Sequence, residues 1–334
     1  MKPAIFGISG PELTGDEAAL LAEHRPLGVI LFRRNVETPD QVRRLTDSVR
    51  RVLDTEAPCL WVDQEGGRVQ RLTEPHWEKL PRAAAIGALW ERDPETAEYA
   101  AWLSGRIIAD QCAGAGFDIA CAPVLDLAFP GTHDVIGDRA FGASVETVAT
   151  LGRSQAEGLL AGGIVPVSKH WPGHCRTLVD SHDSLPLVTA DRTALEDTDF
   201  ASFRAAGDCA PIAMTGHLVF RDIDPDRPST LSPDIIEGII RGFCGFDGFL
   251  VSDDLDMKAL DGSRGELATA AVAAGCDGVL QCSGDFTVMT GVAEALSDMG
   301  EAAAARWAKV SEARTSAEPV DRAQLLEELR DVVG

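Results

Sequence analysis

Five short apolar runs end in side chains that can do acid–base or nucleophilic chemistry. These side chains are Asp63 after CLWV, Asp126 after CAPVL, Lys169-His170 after IVPVS, His217 after PIAMTG and Asp253-Asp254 after FLVS. A lone aspartate in such a place is usually a helix cap or a satisfied loop residue. Five polar positions at the same end of apolar runs favour one shared cleft instead, because parallel barrel strands bring their carboxyl ends to a single mouth.

Carboxylates and imidazoles in one cleft suit general acid–base and covalent catalysis, but they also raise the alternative of a metal-dependent barrel hydrolase. His170 and His174 have the spacing of a ligand pair on a helix, yet Pro172 and Gly173 between them would break that helix. We therefore expect no metal and no organic cofactor. Loss of activity in a chelator, restored by zinc, would favour the metal alternative.

The elements that must position these residues follow from apolar periodicity. Near-continuous apolar runs predict strands buried on both faces, as in a parallel sheet. The runs are Gly28–Phe32, Cys59–Asp63, Phe117–Ala122, Ile164–Ser168, Pro211–Thr215, Phe249–Asp253 and Asp277–Cys282. Amphipathic segments at Thr38–Leu53, Ser144–Ala161 and Asp191–Ala206 predict intervening helices. This alternation predicts an α/β fold.

Seven runs plus a weaker one favour an eight-stranded (β/α)8 barrel over an open sheet, with one strand irregular. The eighth strand lies near Ala4–Ile8 or around Val219, and the sequence does not decide between them. The tail from Glu301 to Gly334 predicts two closing helices packed on the outside of the barrel. The 334 residues fit one barrel without a composition break, so a single catalytic domain is expected over residues 1–334.

Composition narrows the compartment and the partners. A formal net charge of −23 argues against nucleic acid and anionic membranes as partners. The eight cysteines form no CxxC pair, and several lie inside apolar runs, which predicts free buried thiols in a reducing compartment. The first 21 residues do not have the pattern of a signal peptide. We expect a cytoplasmic protein, monomeric and without membrane association.

Three longer segments carry a family resemblance. They are VDQEGGRVQRL at Val62–Leu72, KHWPGHCRTLVDSHDSLP at Lys169–Pro186 and GFDGFLVSDDLDM at Gly245–Met257. Together with APVLDL, IGDRAF and RPSTLS, in this order, they resemble glycoside hydrolase family 3. Within that family they are similar to the single-domain β-N-acetylglucosaminidases that recycle the bacterial cell wall. The resemblance runs from about Gly28 to Cys282.

The resemblance implies a retaining glycosidase in which Asp253 is the nucleophile. His182 would protonate the glycosidic oxygen and later deprotonate water, and Asp180 would orient its ring. A histidine pKa of about 6.5 suits both duties near neutral pH. Relatives with two domains take the acid/base carboxylate from the second one, so the proton donor here is expected from the barrel itself.

The remaining matches imply contacts with a small carbohydrate. The substrate-binding residues implied are Asp63, Arg71, Arg139, Lys169 and His170. Arg71 and Arg139 could instead form surface ion pairs, and Asp126 could hold either a substrate hydroxyl or another side chain. His174 and His217 either orient the site or simply pack.

Two positions depart from the family pattern. Cys175 stands where glycine is usual, and cysteine would be strained there if that glycine had a positive φ. Gly216 replaces an expected alanine. Gly66-Gly67 is expected to permit a tight turn beside the site.

The function expected from the resemblance is hydrolysis of terminal β-linked N-acetylglucosamine, from GlcNAc-1,6-anhydro-MurNAc muropeptides. The natural aglycone is not readable from the sequence. Phosphorolysis on the same site and attack by the substrate's own acetamido group beside Asp253-Asp254 stay open as alternatives. A sugar-binding module on an inactive barrel is the non-enzymatic alternative.

Overall fold

The computed structural model describes residues 1–129, 134–176, 185–314, 316–317 and 319–334. Eight parallel strands form a closed barrel in which each strand pairs with its neighbours in the chain and the first pairs with the last. The barrel strands are β1 (Lys2–Gly7), β2 (Pro26–Leu31), β3 (Leu60–Val62), β4 (Ile119–Ala120), β5 (Val165–Trp171), β6 (Ile212–Thr215), β7 (Phe249–Asp254) and β8 (Gly278–Gln281). The predicted (β/α)8 fold is confirmed.

Helices connect the strands or follow the last of them. They are α1 (Gly15–His24), α2 (Pro39–Leu53), α3 (Ala83–Gly87), α4 (Pro94–Ala115), α5 (Val145–Ala161), α6 (Arg192–Asp197), α7 (Asp199–Ala206), α8 (Pro233–Ile235), α9 (Arg264–Ala274), α10 (Phe286–Ala295), α11 (Glu301–Ala313) and α12 (Arg322–Val333). A π-helix follows α8 at Ile236–Phe243, and 3-10 turns lie at Arg33–Asn35, Gly137–Arg139 and Ser229–Leu231. Thr38 and Ser144 cap α2 and α5, as a polar residue before each amphipathic segment predicts.

All seven predicted strand segments lie in the barrel, and the open question about the eighth is answered by β1. Val219–Phe220 instead pairs with Leu187–Val188 in a separate two-stranded ladder. The expected helix over Asp191–Ala206 is divided, because Thr198 leaves helical geometry with φ −131° and ψ −84°. Arg176 holds this break by donating to the hydroxyl of Thr198 and the carboxylate of Asp199.

Alternation along the strands places the polar residues above an apolar interior. Phe249 and Val251 of β7 belong to the inner cluster, so the next side chain on that face is Asp253. The same period takes β5 from Val165 and Val167 to Lys169. The C-terminal mouth of the barrel is therefore lined by charged side chains, with apolar side chains below them in the barrel interior.

The prediction that both closing helices pack on the outside is wrong for α11. Trp307 of α11 stacks on Trp61 at 6.2 Å between ring centroids and meets Phe249 edge-on at 4.9 Å, both inside the barrel. Arg306 donates to Asp277 just before β8, which fixes the helix across the barrel's N-terminal end. Of the two closing helices, only α12 packs on the outside of the barrel, with Leu326 buried beside α4. Because its indole packs among the inward-facing side chains, α11 closes the N-terminal end of the barrel.

All eight cysteines are free and buried, as predicted. Within the described ranges, no helix combines the length and apolarity needed to cross a membrane.

Candidate active site

A hairpin after β3 brings two predicted substrate-binding residues together. Its arms, Gln64–Gly66 and Val69–Gln70, pair antiparallel, and both turn glycines have positive φ, 95° at Gly66 and 58° at Gly67. A Cβ on Gly66 would lie 2.8 Å from the Pro81 carbonyl oxygen, so the expected requirement for glycine in this turn holds. The hairpin returns Arg71 to Asp63, whose Oδ2 accepts from Arg71 Nη2 at 2.8 Å.

Lys169 joins this pair to a second one. Its Nζ lies 3.0 Å from Asp63 Oδ1 and 2.7 Å from Glu65 Oε1. Arg139 donates from Nε and Nη2 to the two oxygens of Glu65, at 2.8 and 2.7 Å. Arg71 and Arg139 therefore pair with carboxylates inside the site and not on the outer surface.

Mutual charge compensation sets the protonation states of this cluster. Burial raises the pKa of Asp63 and of Glu65, but the neighbouring cations outweigh it: Asp63 ends well below its ordinary value and Glu65 at about 2. Burial lowers the pKa of Lys169 and Arg139, and the two carboxylates raise both above their ordinary values. All four groups are ionised at neutral pH.

His170 is oriented by a buried carboxylate. Its Nδ1 lies 2.7 Å from Asp126 Oδ2, and its Nε2 lies 3.3 Å from Arg139 Nη2 at the cavity. Asp126 also accepts from the backbone N–H groups of His170 and His174. The question left open for Asp126 is therefore answered: it holds another side chain. Burial, followed by the nearby imidazole of His170, lowers the pKa of His174 to about 4.

Asp253 is the next-to-last residue of β7, and its carboxyl lies at the barrel mouth. Its Oδ1 accepts from the Asp254 N–H at 2.8 Å. Burial raises the pKa of Asp253, but His170, His217 and then the Asp254 N–H shift it below the ordinary value overall. The neighbouring Asp254 shifts the opposite way: burial raises its pKa to about 6. Two adjacent carboxyls thus differ in charge state near pH 6 because their environments differ.

These residues surround a cavity of about 240 Å³ at the barrel mouth. Its polar lining is Asp63, Glu65, Arg68, Arg71, Arg139, Lys169, His170, Asp253 and Asp254. Its apolar lining is Ile30, Phe32, Val69, Val135, Met214, Met257, Leu280 and Cys282. A lining of both polar and apolar groups suits a sugar, which presents hydroxyls at its edge and C–H groups on its faces.

The structure brings together six of the eight predicted site residues. They are Asp63, Arg71, Arg139, Lys169, His170 and Asp253. The other two, Asp180 and His182, lie outside the described residues. Glu65 was missed, although the sequence held a signal: Asp63 and Glu65 are two apart in an extended segment and so share a face.

The loop departure at Cys175 causes no strain. Cys175 is not among the described non-glycine residues with positive φ, which are Arg25 and Asp54. Its buried Sγ accepts from the Leu127 N–H at 3.1 Å. Among the described residues, no cluster of three or more His, Cys, Asp or Glu side chains could hold a metal ion.

Known proteins are similar to this chain in sequence and in fold. Residues 8–313 match the family model described as the glycosyl hydrolase family 3 N terminal domain. A beta-hexosaminidase from Alkalilimnicola ehrlichii is 41% identical over 286 residues, covering 85% of this chain and 81% of that protein. One from Bordetella avium is 36% identical over 284 residues, covering 84% and 80%.

Solved structures agree with the sequence comparison. NagZ from Neisseria gonorrhoeae, in complex with N-trifluoroacetyl-D-glucosamine, superimposes with a TM-score of 0.87 at 31% identity, covering 99% of this chain and 97% of that one. A family 3 beta-N-acetylglucosaminidase from Paenibacillus sp. str. FPU-7 gives 0.87 at 30% identity, covering 99% and 67%. The family model spans nearly the whole chain, and the barrel mouth holds six of the eight site residues that the resemblance implies. The chain belongs to glycosyl hydrolase family 3.

Proposed function

We propose that this protein is a retaining β-N-acetylhexosaminidase that hydrolyses terminal β-linked N-acetylglucosamine, with Asp253 as its nucleophile. The observation that carries the proposal is Asp253 itself. Its carboxyl faces a cavity rich in sugar-binding groups, and its lowered pKa keeps it ionised at neutral pH. The names of the relatives, beta-hexosaminidase and beta-N-acetylglucosaminidase, support the choice of sugar.

In the proposed reaction, an Asp253 oxygen bonds to the anomeric carbon as the glycosidic C–O bond breaks. His182 gives its proton to the departing oxygen, with Asp180 orienting its ring. A water then attacks the same carbon, its proton returns to His182, and the Asp253 carboxylate is released. The roles of Asp180 and His182 rest on the family resemblance alone.

The ionic cluster supplies preorganised donors and acceptors for the sugar hydroxyls. Lys169 and Arg139 are fixed by Glu65, and Asp63 is held by Lys169 and Arg71. A hydroxyl that enters such a network meets groups already in place, which limits the entropy lost on binding. We assign substrate binding to Asp63, Arg71, Arg139, Lys169 and His170.

The same pairing favours water over phosphate as the second substrate. Each described arginine or lysine that lines the cavity already contacts a carboxylate: Lys169 and Arg71 contact Asp63, Arg139 contacts Glu65, and Arg68 contacts Asp138. A phosphate anion would have to displace one of these carboxylates and would be repelled by the rest.

Asp254 is poorly placed to assist the substrate's acetamido group. Its Oδ1 accepts from the backbone N–H groups of Asp256 and Cys282, both at 3.0 Å, which ties this carboxyl to the protein. This favours Asp253 acting as a covalent nucleophile over a mechanism that needs both carboxylates.

We further propose the setting of the reaction. The substrate class is a GlcNAc-containing muropeptide or oligosaccharide, with GlcNAc-1,6-anhydro-MurNAc as the preferred form. Residues 1–334 act as one catalytic domain, monomeric and in the cytoplasm.

Hydrolysis of p-nitrophenyl β-N-acetylglucosaminide by the purified chain tests the proposal. Asp253→Asn should lower kcat at least about a thousandfold, since the covalent step loses its nucleophile. The matched control is Asp261→Asn, on an exposed loop seven residues beyond Asp254. A 2-fluoro analogue should label Asp253 in the wild type, and added phosphate should yield no sugar 1-phosphate. Equal rates in wild type and Asp253→Asn would refute the assignment.

A further inference from the structure

The end of β7 is irregular where Asp253 lies. Val251 pairs with Gly278, but Asp254 pairs with Leu280, so three steps on β7 oppose two on β8. A bulge of this kind re-aims a side chain and takes part of the backbone out of the ladder. The carboxylate of Asp253 is then held by the Asp254 N–H, so its position depends on how residue Asp254 is fixed.

His217 contacts Asp254 on its carbonyl side. Its Nε2 lies 3.0 Å from the Asp254 carbonyl oxygen, which also accepts from the Met257 N–H at 3.2 Å. A carbonyl oxygen only accepts, so Nε2 of His217 carries the proton. His217 is fully buried and lies two residues after the end of β6.

Hydroxyl groups from another segment orient the imidazole. His217 Nδ1 lies 2.7 Å from Thr230 Oγ1, which in turn lies 2.7 Å from Thr215 Oγ1. Nδ1 can accept the Thr230 proton while Thr230 accepts from Thr215, and the Thr230 hydroxyl also lies 3.1 Å from the Gly216 carbonyl oxygen. Both ring nitrogens of His217 are therefore held by hydrogen bonds. The Gly216 carbonyl is satisfied by Ser229 Oγ at 2.5 Å. In the RPSTLS segment, buried Thr230 therefore orients the imidazole, and buried Ser229 binds the carbonyl of Gly216, the residue before His217.

We propose that His217 is a positioning residue, which fixes the Asp253 carboxylate by holding the backbone of Asp254 at the β7 bulge. The inference rests on the proposed nucleophilic role of Asp253. His217 touches neither substrate nor reacting atom in this role. It should therefore affect the rate of bond formation and leave sugar binding unchanged.

Two substitutions separate this role from packing. A Gln side-chain nitrogen is three bonds from Cβ, as Nε2 of histidine is, whereas an Asn nitrogen is two bonds away, as Nδ1 is. His217→Gln can therefore keep the bond to the Asp254 carbonyl, and His217→Asn can keep only the bond to Thr230. Each variant breaks one buried hydrogen bond, so the two should lose similar amounts in Tm.

Steady-state kinetics on the full chain should show kcat reduced by about 10- to 100-fold in His217→Asn with KM little changed, the size expected for a misplaced reacting group. His217→Gln should retain most of the wild-type kcat. Equal losses in both variants, or wild-type kcat in both, would overturn the positioning role. Loss confined to KM would do so as well.

Crystal structures of the two variants test the geometry without turnover. The Asp253 carboxylate should move by more than about 0.5 Å in His217→Asn and stay in place in His217→Gln, since about that tolerance separates productive from unproductive sites. An unmoved carboxylate in His217→Asn contradicts the inference even if the wild type is inactive. Inactive wild type, or an active Asp253→Asn variant, would count against the proposed function instead.

Discussion

Glu65→Gln is the substitution whose consequence the structure defines best. Glu65 is 8% exposed and accepts from Lys169 Nζ and from both donors of Arg139. The amide keeps the shape of the carboxylate but removes its charge and turns an NH2 group toward one of the two cations. Two buried cations then share one carboxylate fewer.

The expected loss can be worked out in two ways. Breaking a buried ion pair by removing one partner costs about 3–5 kcal/mol. Burial raises the pKa of Glu65, and Arg139 and Lys169 lower it from 4.5 to about 2, which corresponds to about 3 kcal/mol at pH 7. For 334 residues the unfolding entropy is about 0.7 kcal/mol per kelvin, so Tm should fall by about 4 °C.

The pH dependence has a definite sign. Because the folded-state pKa of Glu65 is depressed, its contribution is complete above pH 4.5 and is lost as pH falls toward 2. Wild type should exceed Glu65→Gln by about 3 kcal/mol at pH 7 and by about 2 kcal/mol near pH 3.5. Urea unfolding at several pH values measures this difference.

Asp138→Asn is the matched control, because Asp138 also pairs with an arginine, Arg68, at 2.9 Å. Those side chains are 33% and 45% exposed, so the pair contributes about 0–1 kcal/mol and Tm should change by about 1 °C or less. The reasoning fails if Glu65→Gln melts no lower than this control, or if its deficit does not narrow as the pH falls.

Three further substitutions have defined outcomes. Burial raises the pKa of Asp254 to about 6, so ionisation of this carboxyl at higher pH destabilises the folded state. Asp254→Asn should therefore raise the free energy of unfolding by up to about 3 kcal/mol at pH 7. Urea unfolding at several pH values should show this gain falling almost to zero toward pH 4. Cys175→Gly should destabilise by about 2 kcal/mol, because it removes a buried side chain and adds backbone entropy; a stability gain would mean that cysteine is strained there. Trp307→Ala should lower the free energy of unfolding in urea by about 3–5 kcal/mol and leave KM unchanged. Trp307→Phe should lose less, because the indole N–H has no hydrogen-bond partner in the described part of the chain. An altered KM would contradict the placement of α11 far from the cavity.

The strands could be predicted from sequence because parallel barrel strands are buried on both faces and so have near-continuous apolar runs. β1 was ambiguous because Lys2 and Pro3 interrupt its pattern, and Val219 offered a run of similar quality. Which one enters the barrel depends on pairing with β8, a contact between opposite ends of the chain. The position of α11 was missed for a related reason: an Ala-rich amphipathic helix looks the same whether its tryptophan meets a helix or the barrel interior.

At the site, sequence identified the groups but not their partners. Asp63, Lys169 and Arg139 were found by resemblance, and alternation could have added Glu65. The orientation of the His217 ring could not be foreseen, because it depends on hydroxyls 2 and 13 positions away in the chain that meet only in the folded barrel. Sequence motifs identify the reactive side chains, whereas the orientation of those side chains depends on contacts between residues far apart in the chain.

The barrel can hold many charged groups at its mouth because substrate binding and stabilisation of the fold depend on different parts of the structure. Buried ions add little net stability even when paired, since desolvation offsets their attraction. The stabilising burial must then come from elsewhere: from the apolar core between strands and helices, and from the inward layer of Trp61, Phe249 and Trp307 at the opposite end. Substitutions in that layer should change stability without changing substrate binding, and substitutions such as His217→Asn should change kcat more than stability. A change in KM after a substitution in that inward layer would contradict this division.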